Sequence, residues 1–242
     1  MPTGQTGIWV VVVIALVVMV PVAFQVFMHL VYRYEKVRTP TGRRIDDNDP
    51  RAQASAWIKF SESARQAGYV HVGTFEVATV ATFVYTMWHS ADSRTALMVL
   101  HAPATARRGT LISLTTSGVW VQTTTLLSGV DMVDCVDTSM LPTTSFDALA
   151  AYHDDRIASR GAIAALSTEQ AARAPEYVFM AKREAMIANG LAEEIDSDRY
   201  RMSSKGANLA MKGLRNLRKN IPASAELAKK YEKELAGAKR DG

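Results

Sequence analysis

Hydrophobic positions along this chain change register twice. From Ile8 to Phe24 the stretch IWVVVVIALVVMVPVAF is apolar throughout, and Val26, Phe27, Met28, Leu30 and Val31 extend it. About 20 such residues at 1.5 Å each match a hydrocarbon core of about 30 Å. Backbone groups in lipid find no water, so the run is expected to be a spanning helix, bent at Pro21. Past residue 53 the pattern becomes periodic. Ala54, Trp57, Phe60, Ala64 and Ala67 recur every three or four residues up to Gly68, which predicts a helix. Five runs rich in β-branched and aromatic residues follow, at 69–77, 82–89, 95–101, 109–115 and 119–125, separated by breaks such as SADS and TSG. Short connections make antiparallel neighbours, so these runs predict a meander of four to five strands. A helix over 144–161, with Ser145 as its cap and Leu149, Tyr152 and Ile157 inward, completes an α+β fold with helices packed on one face of the sheet.

The last third is helical with one interruption. Ser167-Thr168-Glu169-Gln170 is a capped start, Pro175 punctuates, and a helix over 176–189 ends at Gly190. Leu191 to Ile195, the turn Asp196-Ser197-Asp198 and Arg199 to Ser203 then form a two-stranded wing. A helix over 205–220 follows, and beyond Pro222 another, with Leu227, Tyr231 and Leu235 at a spacing of four. These limits divide the chain into an anchor (1–34), a linker (35–52) rich in proline and charge, an α+β domain (53–163), a helix-and-wing unit (164–206) and a basic helical tail (207–242). The body beyond residue 44 carries its own apolar faces and is expected to fold without residues 1–44.

Four short motifs stand in order in the helix-and-wing unit: Gln170-Ala171-Ala172, Gly190-Leu191, Arg199-Tyr200-Arg201 and Ser203-Ser204-Lys205-Gly206. The stretch from Thr168 to Gly206 thereby resembles the second half of a bacterial winged helix, which implies contact with nucleic acid through a helix and the wing. It departs from that pattern in two ways. The chain between Ala172 and Gly190 is too short for two full helices and a turn. The would-be reading helix also opens with Glu176, Tyr177, Phe179 and Met180, where a DNA reader presents Arg, Asn, Gln or Ser. The wing is therefore read as a structural hairpin, with nucleic acid the alternative partner.

Charge adds a topology. The net +4 conceals an acidic body and a basic end: Arg199 to Arg240 hold twelve Lys or Arg against Glu226, Glu232 and Glu234. Arg33, Lys36, Arg38, Arg43 and Arg44 follow the apolar run and no basic side chain precedes it. The positive-inside rule puts the N-terminus outside and the body in the cytoplasm, on a bacterial-type inner membrane. A single cysteine, Cys135, excludes an intrachain disulfide and fits a reducing compartment. Gln25 and His29, four apart, form a candidate polar face within the bilayer.

Candidate chemistry is sparse. His71, His89 and His101 each fall on a predicted strand, but without HxH or HExxH spacing, so no metal or other cofactor is expected. A hydrolase would have to pair Cys135 with His153, yet Asp131, Asp134 and Asp137 around the thiol would hold it protonated. The basic tail carries the strongest signal. Lys205, Lys212, Arg215 and Lys219 lie mostly opposite Ala210, Leu214, Leu217 and Ile221 on a helical wheel, and Arg218 falls within the same turns. They are candidate contacts to anionic lipid or to a partner, unless the apolar side docks on the chain's own domain. The expectation is a membrane-anchored interaction or assembly module without catalytic activity, working with a protein partner or as a homo-oligomer. The alternatives are a tethered nucleic-acid binder and a hydrolase.

Overall fold

The computed structural model describes residues 26–27, 29–31, 33, 36–38, 40–52, 58–78, 82–101, 108–125 and 131–238, apart from the side chains of 108, 214–215, 217–220 and 238. The apolar run before Val26 and the Gln25 position lie outside them. Among the described residues no helix is long and apolar enough to cross a membrane.

The fold is mixed α+β, as expected, but its sheets are larger. A three-stranded sheet is ordered β1 (Val37–Arg38), β10 (Arg199–Met202), β9 (Ala192–Asp196). A seven-stranded sheet runs β2 (Arg43–Ile45), β3 (Val70–Ala78), β4 (Thr82–His89), β5 (Thr95–His101), β6 (Arg108–Leu114), β7 (Trp120–Thr124), β8 (Val136–Met140). The five-stranded meander is β3 to β7, all antiparallel. Two further strands correct the count. β2 comes from the segment read as linker and pairs with β3 through Arg44↔Phe75; β8 comes from the acidic stretch around Cys135 and lies parallel to β7. On β8 the Asp131 carboxylate accepts both the backbone N–H and the hydroxyl of Thr138. A side chain thus occupies a donor that an edge strand would otherwise leave open to a foreign strand.

Helices cover both faces of the large sheet, not one. Successive strand residues point to opposite sides. Leu97, Val99 and Leu111 pack with Phe60 and Ala64 of α1 (Ile58–Gln66), with Phe146 and Leu149 of α2 (Phe146–Ala158), and with Ala228 of α5 (Ser204–Ala238). Their neighbours Ala96 and Ile112 face the other way, with Met87 and Trp120. They meet Ala171 of α3 (Thr168–Ala172) and Ala174 and Val178 of α4 (Ala174–Ala188). The caps are as expected: Ser145 Oγ accepts the Ala148 N–H, and Ser167 with Gln170 forms a reciprocal capping box.

The wing has a third strand. Val37 of β1 lies opposite Tyr200 of β10, and Tyr200 is buried with Met186, Leu191 and Ala192. α5 is one 35-residue helix that passes through Pro222, about 52 Å long at 1.5 Å per residue. Proline removes one helical bond, and docking at both ends offsets that loss. Ala207 and Ala210 are buried near the wing, while Leu227, Tyr231 and Leu235 pack on the α1–α2 side. Tyr231 donates to Asp155, and Thr143 to Glu232. Docking therefore falls on those residues and not on Ile221, which is exposed.

Gly206 fixes the first of these contacts. A Cβ there would overlap the Leu191 carbonyl oxygen and lie 2.9 Å from its carbon. Leu191 cannot yield easily, because its carbonyl accepts from the Ser203 N–H and its own N–H donates to Met186. Gly206→Ala gains about 1 kcal/mol of helix propensity but forces an overpacking cost of about 3 kcal/mol, so a net loss of about 2 kcal/mol is expected in urea unfolding. Gly237, with open space around its Cβ position, is the control: Gly237→Ala should stabilise by up to about 1 kcal/mol. Stabilisation by both substitutions would remove the close α5–wing contact.

Candidate functional site

The residues that follow the apolar run are stitched to the body at four points. The described residues among 26–33 are helical, with Val26, Phe27 and Leu30 exposed. Arg33 Nη1 donates to Glu193 Oε1 at 2.7 Å and to the Met202 carbonyl at 3.1 Å. Val37 and Arg38 form β1 on the wing, and Arg38 Nε reaches Asp198 at 2.7 Å. The Gly42 N–H donates to Glu176 Oε1 at 2.7 Å, while Arg173 holds the other carboxylate oxygen at 2.8 Å. Arg43 then pairs with Glu76 at 2.7 Å as β2 joins the large sheet. The described residues between Arg33 and Ile45 form a strap between the two sheets.

Burial makes the Gly42 contact demanding. Glu176 is buried on α4, so each of its oxygens needs a donor. A Cβ at residue 42 would overlap the Tyr85 hydroxyl, so only glycine lets the backbone come this close. Burial, with the Glu176 charge beside it, pushes the Tyr85 phenol up to about 12. Arg33 and Arg201 hold the Glu193 carboxyl below its ordinary range, and Arg43 and Arg51 do the same for Glu76. The cationic flank that follows the apolar run therefore makes structural ion pairs.

α5 starts two residues past Met202, whose carbonyl accepts from Arg33. Ser203 Oγ accepts the Gly206 N–H at 3.1 Å and donates to the Gly190 carbonyl at 2.7 Å, which fixes the helix start on the wing. Lys205 donates to the Asn189 carbonyl at 3.3 Å, and Lys212 is exposed. Arg215, Arg218 and Lys219 occupy the next turns of α5. His29 lies half-buried in the helical segment before the strap.

Cations on the winged-helix-like stretch are already engaged. Arg183 pairs with Glu194 and donates to the Asp196 carbonyl; Arg199 pairs with Asp196, and Arg201 with Glu193. Lys182 is half-buried, and burial lowers its amine pKa. α3 is only five residues long, and α4 turns Ala174 and Val178 into the core, so this helix is built for packing. Phosphate binding needs unneutralised positive charge, and these side chains offer little.

The hydrolase pair is not assembled. Cys135 packs against α4, with Sγ 3.5 Å from the Ala181 carbonyl, and burial pushes its thiol up. His153 lies on the other side of the sheet under α2, sealed between Ser113 Oγ at 3.0 Å and Thr123 Oγ1 at 2.8 Å. His71 and His101 line a cavity of about 540 Å³ between α1 and β3–β5, with Trp88 between them. His89 follows Trp88 and so faces the opposite side. Among the described residues no three His, Cys, Asp or Glu side chains come together as a metal site.

Sequence reasoning missed Gly42, Glu176 and the partners of Arg33 and Arg43. The one local signal was a glycine within an arginine-rich stretch. Comparison with protein-family models, curated proteins and solved structures finds no match to this chain.

Proposed function

We propose that this chain is a membrane-anchored interaction or assembly module. Its N-terminal apolar run spans a bacterial-type inner membrane, with the N-terminus outside and the folded body in the cytoplasm. One observation carries the reading: the residues immediately after the apolar run are built into the wing. Arg33 lies three residues beyond Leu30, about 4.5 Å along a helix, and it already touches β9 and β10. A free linker would let the body drift from the bilayer. This strap holds it at a fixed attitude and leaves the exposed side of α5 open to a protein partner or a second copy.

Two measurements test the two halves of the proposal. A reporter that works only in the cytoplasm, fused after Gly242, should be active, and a periplasm-dependent reporter silent; the reverse pattern overturns the orientation. Native mass spectrometry of the protein extracted from its own membrane should show a species heavier than the 26.5 kDa monomer. A bare monomer at every mild extraction condition would remove the assembly reading while leaving the anchor intact.

A further inference from the structure

We propose that the first half of α5 lies on the cytoplasmic leaflet and binds the headgroups of acidic phospholipids, an inference that rests on the anchored reading above. Placement comes first. Arg33 ties the end of the apolar segment to the Met202 carbonyl, and α5 begins at Ser204, so its first turns start at headgroup depth. Val37, four residues past Arg33, pairs with Tyr200 of the wing and adds a second tie at the same place.

The face of the helix comes second. Lys205, Leu209, Lys212, Asn216 and Lys219 follow a spacing of four, three, four and three, which places them on one side of a helix. Lys205, Leu209, Lys212 and Asn216 are exposed, whereas Ala207 and Ala210, on the opposite side, are buried. From Leu209 onward the exposed stripe therefore points away from the body, while Lys205 at its start reaches the Asn189 carbonyl. It combines basic residues with an apolar one, as interfacial helices do.

Charge comes third. No acidic residue occurs from Ser204 to Ala225, while Lys205, Lys212, Arg215, Arg218 and Lys219 all lie there. The second half of α5 differs: it carries Glu226, Glu232 and Glu234 and docks through Tyr231 and Leu235. Neither Lys205 nor Lys212 has a carboxylate partner among the described residues. Nucleic acid offers the same phosphate chemistry, but the tether at Arg33 brings the stripe to lipid at high local concentration.

The test uses the full chain in nanodiscs of phosphatidylcholine, with or without one-third phosphatidylglycerol. An Asn216→Cys change in a Cys135→Ser background carries an environment-sensitive dye. Emission should shift to the blue only in the anionic discs, and 0.5 M salt should reverse the shift. Replacing Lys212, Arg215 and Lys219 with Gln should lower the docked-to-free ratio about a hundredfold, since each basic residue near anionic lipid contributes about 1 kcal/mol. An unchanged thermal melt of that variant shows that its fold is intact. Equal emission in both discs overturns the lipid contact and leaves the anchor standing. Failure of the chain to enter discs overturns the anchor itself. A shift produced by a DNA duplex in neutral discs, and not by anionic lipid, assigns the stripe to nucleic acid and overturns the proposal.

Discussion

Removing residues 1–44 is expected to abolish cooperative folding, whereas removing residues 1–25 leaves the body folded. The apolar faces of the strands and helices suggest the opposite for the longer deletion, because they supply a core without the first 44 residues. The strap reverses that expectation. Cutting after Arg44 deletes β1 and most of β2, uncovers the edges of β3 and β10, and removes the ion pairs of Arg33 to Glu193 and Arg43 to Glu76. It also strips the buried Glu176 of the Gly42 N–H. An orphaned buried acceptor alone costs about 1–3 kcal/mol, and the lost strands bring the total to the order of 5 kcal/mol. Domain stabilities are about 5–15 kcal/mol, so the loss is decisive. Urea unfolding of fragments 26–242 and 45–242 in mild detergent checks it. A cooperative transition of equal midpoint in both would mean that the strap is ornamental, and the proposed fixed attitude of the body at the membrane would go with it.

The contrast shows where sequence was informative. Ser145 and Ser167 announced their helices because a cap is a contact between residues three positions apart. The strands β3 to β7 were legible from β-branched runs bounded by turn residues. Cover on both faces was also readable in principle: TALMVLH has no polar alternation, which marks a strand buried on both sides. β1, β2 and β8 were not readable, since each is two to five residues long and polar, and its register is set by a distant partner. The charged RTPTGRRI looks like a linker because its partners Glu76, Glu176 and Asp198 are 33 to 160 residues away. The basic stripe of α5 was legible as charge. Its exposure and its distance from the apolar run depended on that same strap.

Between pH 6.5 and pH 5 the protein is expected to lose about 2 kcal/mol of unfolding free energy through His153 alone. This imidazole is buried between Ser113 and Thr123, and Ser113 is in turn bonded to Thr95 at 2.9 Å. One ring nitrogen donates and the other accepts, so the neutral form satisfies the chain of hydroxyls. Burial, aided by the Arg156 charge, lowers the pKa from 6.5 to about 3. Well above pH 6.5 neither state is protonated and stability is complete. As the pH falls below 6.5 the unfolded chain takes up a proton that the folded chain refuses, so stability declines, and the decline ends near pH 3. One pKa unit corresponds to about 1.36 kcal/mol, which gives about 2 kcal/mol over this window. Paired carboxylates act mainly below this window: Asp49, held to about 2 by Arg51, loses its contribution below its ordinary 3.8, and Glu76 and Glu193, also lowered by their arginines, lose most of theirs below their ordinary 4.5. His71, also lowered by burial, adds in the same direction and is removed with His71→Gln as a background. Urea midpoints at pH 7, 6 and 5 should fall in that background and flatten when His153→Gln is added, because the amide can donate to one hydroxyl and accept from the other. An equally steep fall with and without His153 would mean that the imidazole titrates in the folded protein, and would open the Ser113–His153–Thr123 chain to acid–base chemistry after all.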